Sequence, residues 1–315
     1  MRLAALLATA AACVAAGCGG SDDTAGCSDE GGDAITVYVA TAPQGGRPSG
    51  QALDEAVRVL CERAEKRDLR VNVRRQGDDR IAMEMPDATE RERRALTAPG
   101  QLAFYDWEPN VIGDPDMPLN DLDEAVRRAA RAKPRAEATD VPPGDRENDV
   151  QQPPAGVAAE LPRGIAIVRA QPPAEATASA PEQFFVIEDD AELTGADVRD
   201  PKQDFDQQTQ EPILGMEFSQ AGKEAFARVT ERIAKRGQSI LPQPGQSPAD
   251  RFQRFAIVLD GQVVSLATVD FINNPEGISG ASGAQINGIG SIEDTQALAE
   301  DLRIGPLPVR LEPLR

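Results

Sequence analysis

Two apolar runs meet at Asp260-Gly261: Phe255-Ala256-Ile257-Val258-Leu259 on one side and Gln262-Val263-Val264-Ser265 on the other. Asp-Gly supplies the two left-handed positions that a type I′ turn demands, so this stretch predicts a tight antiparallel hairpin. A glycine-rich run at 277–290 follows, and then Ser291-Ile292-Glu293-Asp294 reads as a helix start. Ser291 is its cap, and Asp294 takes the position where a capping box usually has Glu. Thr295, Leu298, Ala299 and Leu302 share one face of that helix, which stops at Gly305-Pro306 before a last strand at 307–311.

Upstream, a β-α-β-β-α-β order emerges. Ile35-Thr36-Val37-Tyr38-Val39 is a strand, and Leu53, Ala56, Val57, Leu60 and Ala64 recur at helical spacing over 51–66. Residues 69–73 alternate like a half-buried strand, Gln76-Gly77-Asp78-Asp79 is a turn, and 80–85 is the partner strand. A short helix over 89–96 leads to a strand at 101–107. That order is the one of a ferredoxin-like unit, two helices on one face of an antiparallel sheet. The same order recurs from Ile213: a strand to Phe218, a helix capped by Ser219 with Ala225, Phe226, Val229 and Ile233 on one side, the hairpin, the closing helix and the last strand. Between the two, Leu122, Ala125, Val126 and Ala129 mark a helix. Prolines punctuate 133–181, which predicts loop or mobile chain around one strand at 164–169, and 182–188 gives another strand.

The amino terminus reads as an address. Met1-Arg2, an apolar stretch over 3–16 and small residues before Cys18 describe a secretory signal, too short for an ordinary membrane span. Val14-Ala15-Ala16-Gly17-Cys18 resembles a bacterial lipobox, with alanine where leucine is commonest, which makes Cys18 the lipidated residue and 19–34 a flexible tether. Cys13 goes with the signal. Cys27 and Cys61 remain, and two readings stay open: they pair in an oxidising compartment, or Cys61 is a small core residue on its helix.

Net charge is −19, which argues against nucleic acid as a partner because phosphate would be repelled. Eleven of the acids fall within 182–217 against two basic residues; without an Asp-x-Asp-x-Asp-Gly loop, the run reads as solvated surface rather than a metal site. The chain holds no histidine, which removes Ser-His-Asp and Cys-His catalysis. The glycines of 277–290 do not have phosphate-cradle spacing. No catalytic residue, metal ligand or cofactor is therefore assigned, and the chain is expected not to be an enzyme.

Four blocks in shared order resemble the first extracytoplasmic domain of the SecD/SecDF protein-export family. They are Ala52-Leu53-Asp54-Glu55-Ala56 with Arg75-Gln76-Gly77-Asp78-Asp79-Arg80-Ile81; Leu193-Thr194-Gly195-Ala196-Asp197-Val198; 212–218 with Ala221-Gly222-Lys223-Glu224-Ala225-Phe226; and 256–265 with 284–288 and 297–308. The structural motif residues are Leu193, Thr194, Gly195, Asp197, Asp260, Gly261 and Gly305. The resemblance implies an α+β fold with antiparallel and mixed sheets, a ferredoxin-like βαββαβ base with an inserted head that swings relative to it. On that template the signal is 1–18, the tether 19–34, the base 35–108 and 251–315, and the head 109–250 including 133–181. The SecD membrane helices and their intramembrane acid have no counterpart in this sequence, so none of the proton-coupling residues carries over. The segment 133–181 does not match the family.

The resemblance implies a lipid-anchored, non-catalytic, extracytoplasmic module at the cell membrane. Its partners would be unfolded exported polypeptide and the Sec translocon or SecDF components. Two other classes stay in view: an envelope scaffold lipoprotein that has lost the export role, and a small-ligand-binding lipoprotein, which needs an apolar pocket.

Overall fold

The structure is a computed structural model that describes residues 27–28, 35–43, 45–133, 161–171, 181–207 and 209–314. Cys18, most of the expected tether and most of the Pro-rich segment 133–181 lie outside the described residues.

In chain order, β1 (Cys27–Ser28) and β2 (Ile35–Thr41) precede α1 (Gly50–Lys66), whose Ser49 side chain accepts from the Ala52 N–H. β3 (Asn72–Arg75) and β4 (Arg80–Glu84) follow. α2 (Glu90–Thr97) starts at a Thr89/Glu92 capping box, each side chain satisfying the other's backbone N–H. Then come β5 (Leu102–Asp106), the short α3 (Trp107–Asn110), α4 (Leu122–Arg131), β6 (Ile165–Arg169), β7 (Phe184–Glu188), β8 (Leu193–Thr194), β9 (Val198–Phe205) and β10 (Pro212–Phe218). α5 (Gln220–Ser239) leads through β11 (Gln253–Leu259), β12 (Gln262–Val269) and β13 (Ala284–Ile286) to α6 (Ile292–Ile304) and β14 (Arg310–Pro313).

Three sheets result, in orders β1-β3-β4-β2-β14, β7-β6-β12-β11-β5-β8 and β13-β10-β9. The α+β class holds, with antiparallel sheets except for the parallel β6–β12 contact. The ferredoxin-like base is not confirmed as the sequence drew it. Its expected closing strand at 101–107 is β5, which pairs with β11 and β8 in the six-stranded sheet. The strand that completes the first sheet is β14, antiparallel to β2, more than two hundred residues downstream. The apparent second β-α-β-β-α-β unit dissolves too. β10 joins the three-stranded sheet, the hairpin the six-stranded sheet and β14 the five-stranded one. The last strand runs Arg310–Pro313 rather than 307–311, because Leu307 and Val309 are spent as buried core residues before pairing begins. β11 and β12, within the expected base segment 251–315, share a sheet with β6, β7 and β8, which the sequence assigned to the head.

Period-2 alternation explains why the six-stranded sheet can be covered on both faces. From β5 and β11, Leu102, Phe104, Phe255 and Ile257 face the three-stranded sheet and α5. The intervening Ala103, Tyr105, Ala256 and Val258 pack with Trp107, Phe185 and Ile187 on the other side. Phe104, Phe218, Phe226 and Phe255 form one aromatic group with centroids 5.2–5.8 Å apart. In the five-stranded unit, Leu53, Ala56, Val57, Leu60 and Ala64 of α1 bury against Val73, Ile81 and Met83.

The run 277–290 is more than a connection. The Ile278 N–H donates to Thr230 Oγ1 on α5 at 2.8 Å, and β13 inside the run pairs with β10.

Candidate functional site

The chain leaves the five-stranded unit after α2 and returns to it after α6, so two short segments, 98–101 and 305–307, carry the whole connection between that unit and the rest of the described chain. They lie side by side, with the Leu307 N–H donating to Pro99 O at 2.8 Å. Each contains the same pair of stiff and permissive residues, Pro99-Gly100 outward and Gly305-Pro306 on return.

Arg63 sits on both segments. It occupies the buried stripe of α1 between Leu60 and Ala64 and is fully inaccessible to solvent. Its Nη1 donates to Ala98 O at 2.5 Å and Leu96 O at 3.3 Å, and its Nη2 donates to Gly305 O at 3.0 Å and Pro99 O at 3.4 Å. The planar fork of a guanidinium is what lets one side chain hold carbonyls from two strands. Gly100 has φ +72°, and a Cβ there would stand 2.6 Å from Arg63 Nη2. Glycine is required at that point both for the dihedral and for the guanidinium's room.

The charge of Arg63 is balanced from α6. Asp301 Oδ1 lies 3.5 Å from Arg63 Nε, and both Asp301 oxygens accept from Arg67 Nη2 at 2.6 Å, one helical turn further along α1. Burial pulls the Arg63 guanidinium below its ordinary value, opposed by Asp301, and burial pushes the Asp301 carboxyl up, opposed by Arg63 and Arg67.

The hairpin turn closes the junction from the other side. Asp260 and Gly261 have φ of 50° and 71°, the two left-handed positions expected. The Asp260 N–H donates to Gln101 O at 2.9 Å, and Asp260 Oδ1 accepts from the Gln101 N–H at 2.7 Å. Burial raises the Asp260 carboxyl to about 6, against the lowering effect of its backbone hydrogen bonds and of Arg63.

Two of the residues singled out from sequence, Asp260 and Gly305, are thus brought to one buried arginine, and Gly261 completes the turn that carries Asp260. Leu193, Thr194, Gly195 and Asp197 are not brought there. Leu193 and Thr194 pair with Phe104 and Ala103 of β5. Asp197 Oδ2 accepts from the Thr194 N–H, and Asp197 O accepts from the Ser219 N–H at the start of α5. That block seats a helix end. Cys27 and Cys61 form a disulfide that fastens β1 to α1, with Cα atoms 5.8 Å apart.

Sequence reasoning missed Arg63, Arg67 and the Pro99-Gly100 crossing. A signal for them existed: an arginine on the apolar stripe of a predicted helix, and mirrored Pro-Gly and Gly-Pro dipeptides. A second ionic cluster, where Arg236 of α5 chelates Asp106 and Arg254 holds Glu108 and Asp116, ties α5 and β11 to the end of β5. A groove of about 860 Å³ opens beside the junction between α1, α2, α6 and β9. Its walls carry Lys66, Arg91, Lys202, Glu293 and Glu300, and Arg91 of α2 reaches Asp294 of α6 across it. Among the described residues no helix is long and apolar enough to cross a membrane.

Comparison with known proteins adds three findings. Residues 173–309 match the family described as SecDF, P1 head subdomain. The matched span runs across residue 250, where sequence reading had ended the head. The protein translocase subunit SecD of Acidaminococcus fermentans is 33% identical over 130 residues, covering 41% of this chain and 25% of that protein. The match therefore spans about a quarter of that relative's length. A solved structure of SecDF, described as a membrane component that enhances protein export, is similar in fold with a TM-score of 0.50. It is 21% identical, and the match covers 90% of this chain and 98% of that one.

Proposed function

From the premise that this chain carries a SecD-type extracytoplasmic domain, we propose that it is a membrane-tethered, non-catalytic module of protein export. In this reading it binds exported polypeptide, or the Sec translocon and SecDF components, on the extracytoplasmic face of the cell membrane. The observation that carries the reading is the match of 173–309 to the P1 head subdomain. The lipobox-like run ending at Cys18 supports the tether, since a multiply acylated cysteine anchors a chain where a single acyl chain holds only marginally. The lack of histidine supports a binding rather than a hydrolytic role, because no imidazole base is available to activate a hydroxyl or thiol.

The test is photo-crosslinking in cells from exposed positions of the head such as Leu241 and Ile272. Recovery of a secretory precursor or a Sec component supports the proposal. Recovery of neither, with secretion unchanged when the gene is deleted, rejects it in favour of the envelope scaffold.

A further inference from the structure

The terminal strands of the three sheets are guarded in the ways natural sheet edges are. β1 and β8 are two residues long, and β13 is Ala284–Ile286. β14 carries Pro313. β9 carries Pro201, Lys202 and Asp204, and Asp204 Oδ1 accepts the Phe205 N–H at 2.8 Å. The outer side of β7 is covered by the chain before α4, where the Leu119 N–H donates to Phe184 O at 2.7 Å and the Ile112 N–H to Val186 O at 2.8 Å.

β12 is the exception. It meets β6 at one position, Gln262 opposite Arg169, where the Arg169 N–H donates to Gly261 O at 2.7 Å. Val264 is then the extra residue of a bulge, which shifts the register against β11 between Val263 and Ser265. β6 ends at Arg169, and the sequence after Gln171 reads Pro172-Pro173, two residues with no N–H to offer a ladder. Among the described residues, no strand pairs over 264–269 with the side of β12 turned away from β11. That stretch holds neither charge nor proline, and Ala267 and Thr268 are exposed.

The direction of its main-chain groups follows from β11. The Arg254 N–H donates to the Glu108 carboxylate just after β5, and the Asp260 N–H to Gln101 O just before it. Main-chain groups alternate along a strand, so Phe255 and Ile257 point the other way, to their partners Ala267 and Ser265. Leu266 and Thr268 therefore turn N–H and C=O outward, about 7 Å apart, the spacing at which an added strand exchanges hydrogen bonds.

We propose that the open edge of β12 over 264–269 is a strand-acceptor site, onto which an extended segment of exported polypeptide adds through main-chain hydrogen bonds to Leu266 and Thr268. The inference rests on the proposed function and gives it a site and a mode. Main-chain pairing does not read side chains, which suits a partner that arrives in many sequences. An uncharged edge does not sort guests by sign. A second copy of this chain is the disfavoured occupant, because two chains of net charge −19 repel.

The experiment measures binding of a short fluorescein-labelled peptide of alternating Thr and Val to the full chain by anisotropy. The same peptide N-methylated at every residue is the control, since it keeps the side chains and loses the donors. The plain peptide is expected to bind and the methylated one to bind at least about tenfold more weakly. Thr268→Pro deletes one outward N–H at a position where an edge tolerates proline, and should weaken binding about tenfold, whereas Thr268→Val keeps the N–H and should stay within about twofold. Amide exchange at Leu266 and Thr268 should slow on adding peptide. Equal binding of the two peptides overturns the site, and so does binding with no slowing at those amides. Leu266 and Thr268 amides already protected without peptide overturn it too: in favour of residues 172–180 as occupant if protection is independent of protein concentration, and of a second copy if it rises with concentration. Should Thr268→Pro not fold, the pair of peptides on the wild-type chain decides. Crosslinking from Leu241 and Ile272 reads capture of a client at any surface, so recovery of precursors with an edge that ignores peptide removes this site and leaves the function standing. An edge that binds peptide in a chain that crosslinks no client removes the function and leaves the acceptor.

Discussion

Replacing Arg63 by methionine is the most direct test of the crossing. Methionine keeps the length and apolar stem of the side chain, so the packing between Leu60 and Ala64 is preserved and only the charged fork is lost. Four carbonyl oxygens then lose a donor. Two of those contacts are at good distance, Ala98 O at 2.5 Å and Gly305 O at 3.0 Å, and hydrogen bonds to a charged group are worth roughly 1.5–3 kcal/mol each. Asp301 keeps Arg67 but loses the second cation at 3.5 Å. Breaking a buried pair from one side costs roughly 3–5 kcal/mol, and the two estimates agree, so a loss of about 3–5 kcal/mol is expected. That is a large share of the roughly 5–15 kcal/mol by which a domain is stable. The assay is urea unfolding followed by two probes. Trp107, the single tryptophan, is buried in the six-stranded unit and reports that unit by fluorescence, while far-ultraviolet dichroism reports the whole chain. In the variant the dichroism transition should begin at lower urea than the fluorescence transition, because the five-stranded unit is no longer clamped. Adding Asp301→Asn should recover part of the loss, since it removes the acid left short of a cation. A loss below about 1 kcal/mol, with the two probes still coincident, would show that Arg63 fills space and does not couple the units.

Two further substitutions probe the same body. Gly100→Ala introduces a Cβ 2.6 Å from Arg63 Nη2 at φ +72°, and should cost more than Gly45→Ala, where φ is +91° and no atom lies within 4 Å. Equal midpoints in thermal unfolding would remove the argument that the guanidinium needs that space. Opening the Cys27–Cys61 disulfide, which closes a separation of 34 residues, should destabilise the chain by roughly 2–4 kcal/mol in the loop-entropy view. An unchanged denaturation midpoint with reductant, or in Cys61→Ser, would count against that pairing as a stabilising link.

What could be read from sequence followed the range of the interaction. The Asp260-Gly261 turn and the caps at Ser219 and Ser291 depend on residues within four positions of one another, and helix and hairpin fall where that local chemistry puts them. The assignment of strands to sheets depends on contacts from far along the chain, and there local order misled. β5 follows α2 and so reads as the strand that closes a βαββαβ unit. Yet Phe104 has Phe255 and Phe218 to pack against in the six-stranded sheet, while the five-stranded sheet takes β14 beside β2. β9 was not legible as a strand at all. Its residues alternate poorly, Pro201 removes a donor, and acids outnumber apolar residues around it, which is the dress of an edge strand rather than of a central one.

The same distinction explains why the crossing itself was half visible. Asp260, Gly261 and Gly305 could be singled out because turns and helix stops carry local residue signatures. Arg63 could not, because its partners are carbonyl oxygens at 96, 98, 99 and 305, and a main-chain acceptor leaves no mark on the residue type that bears it. Only the anomaly of a charge on an apolar stripe pointed to it. A buried arginine in such a place must find acceptors on segments that come close in space, and here those segments are the only two joining the five-stranded unit to the remaining described chain. The charge on the stripe therefore marks where a fold built from distant pieces is held together.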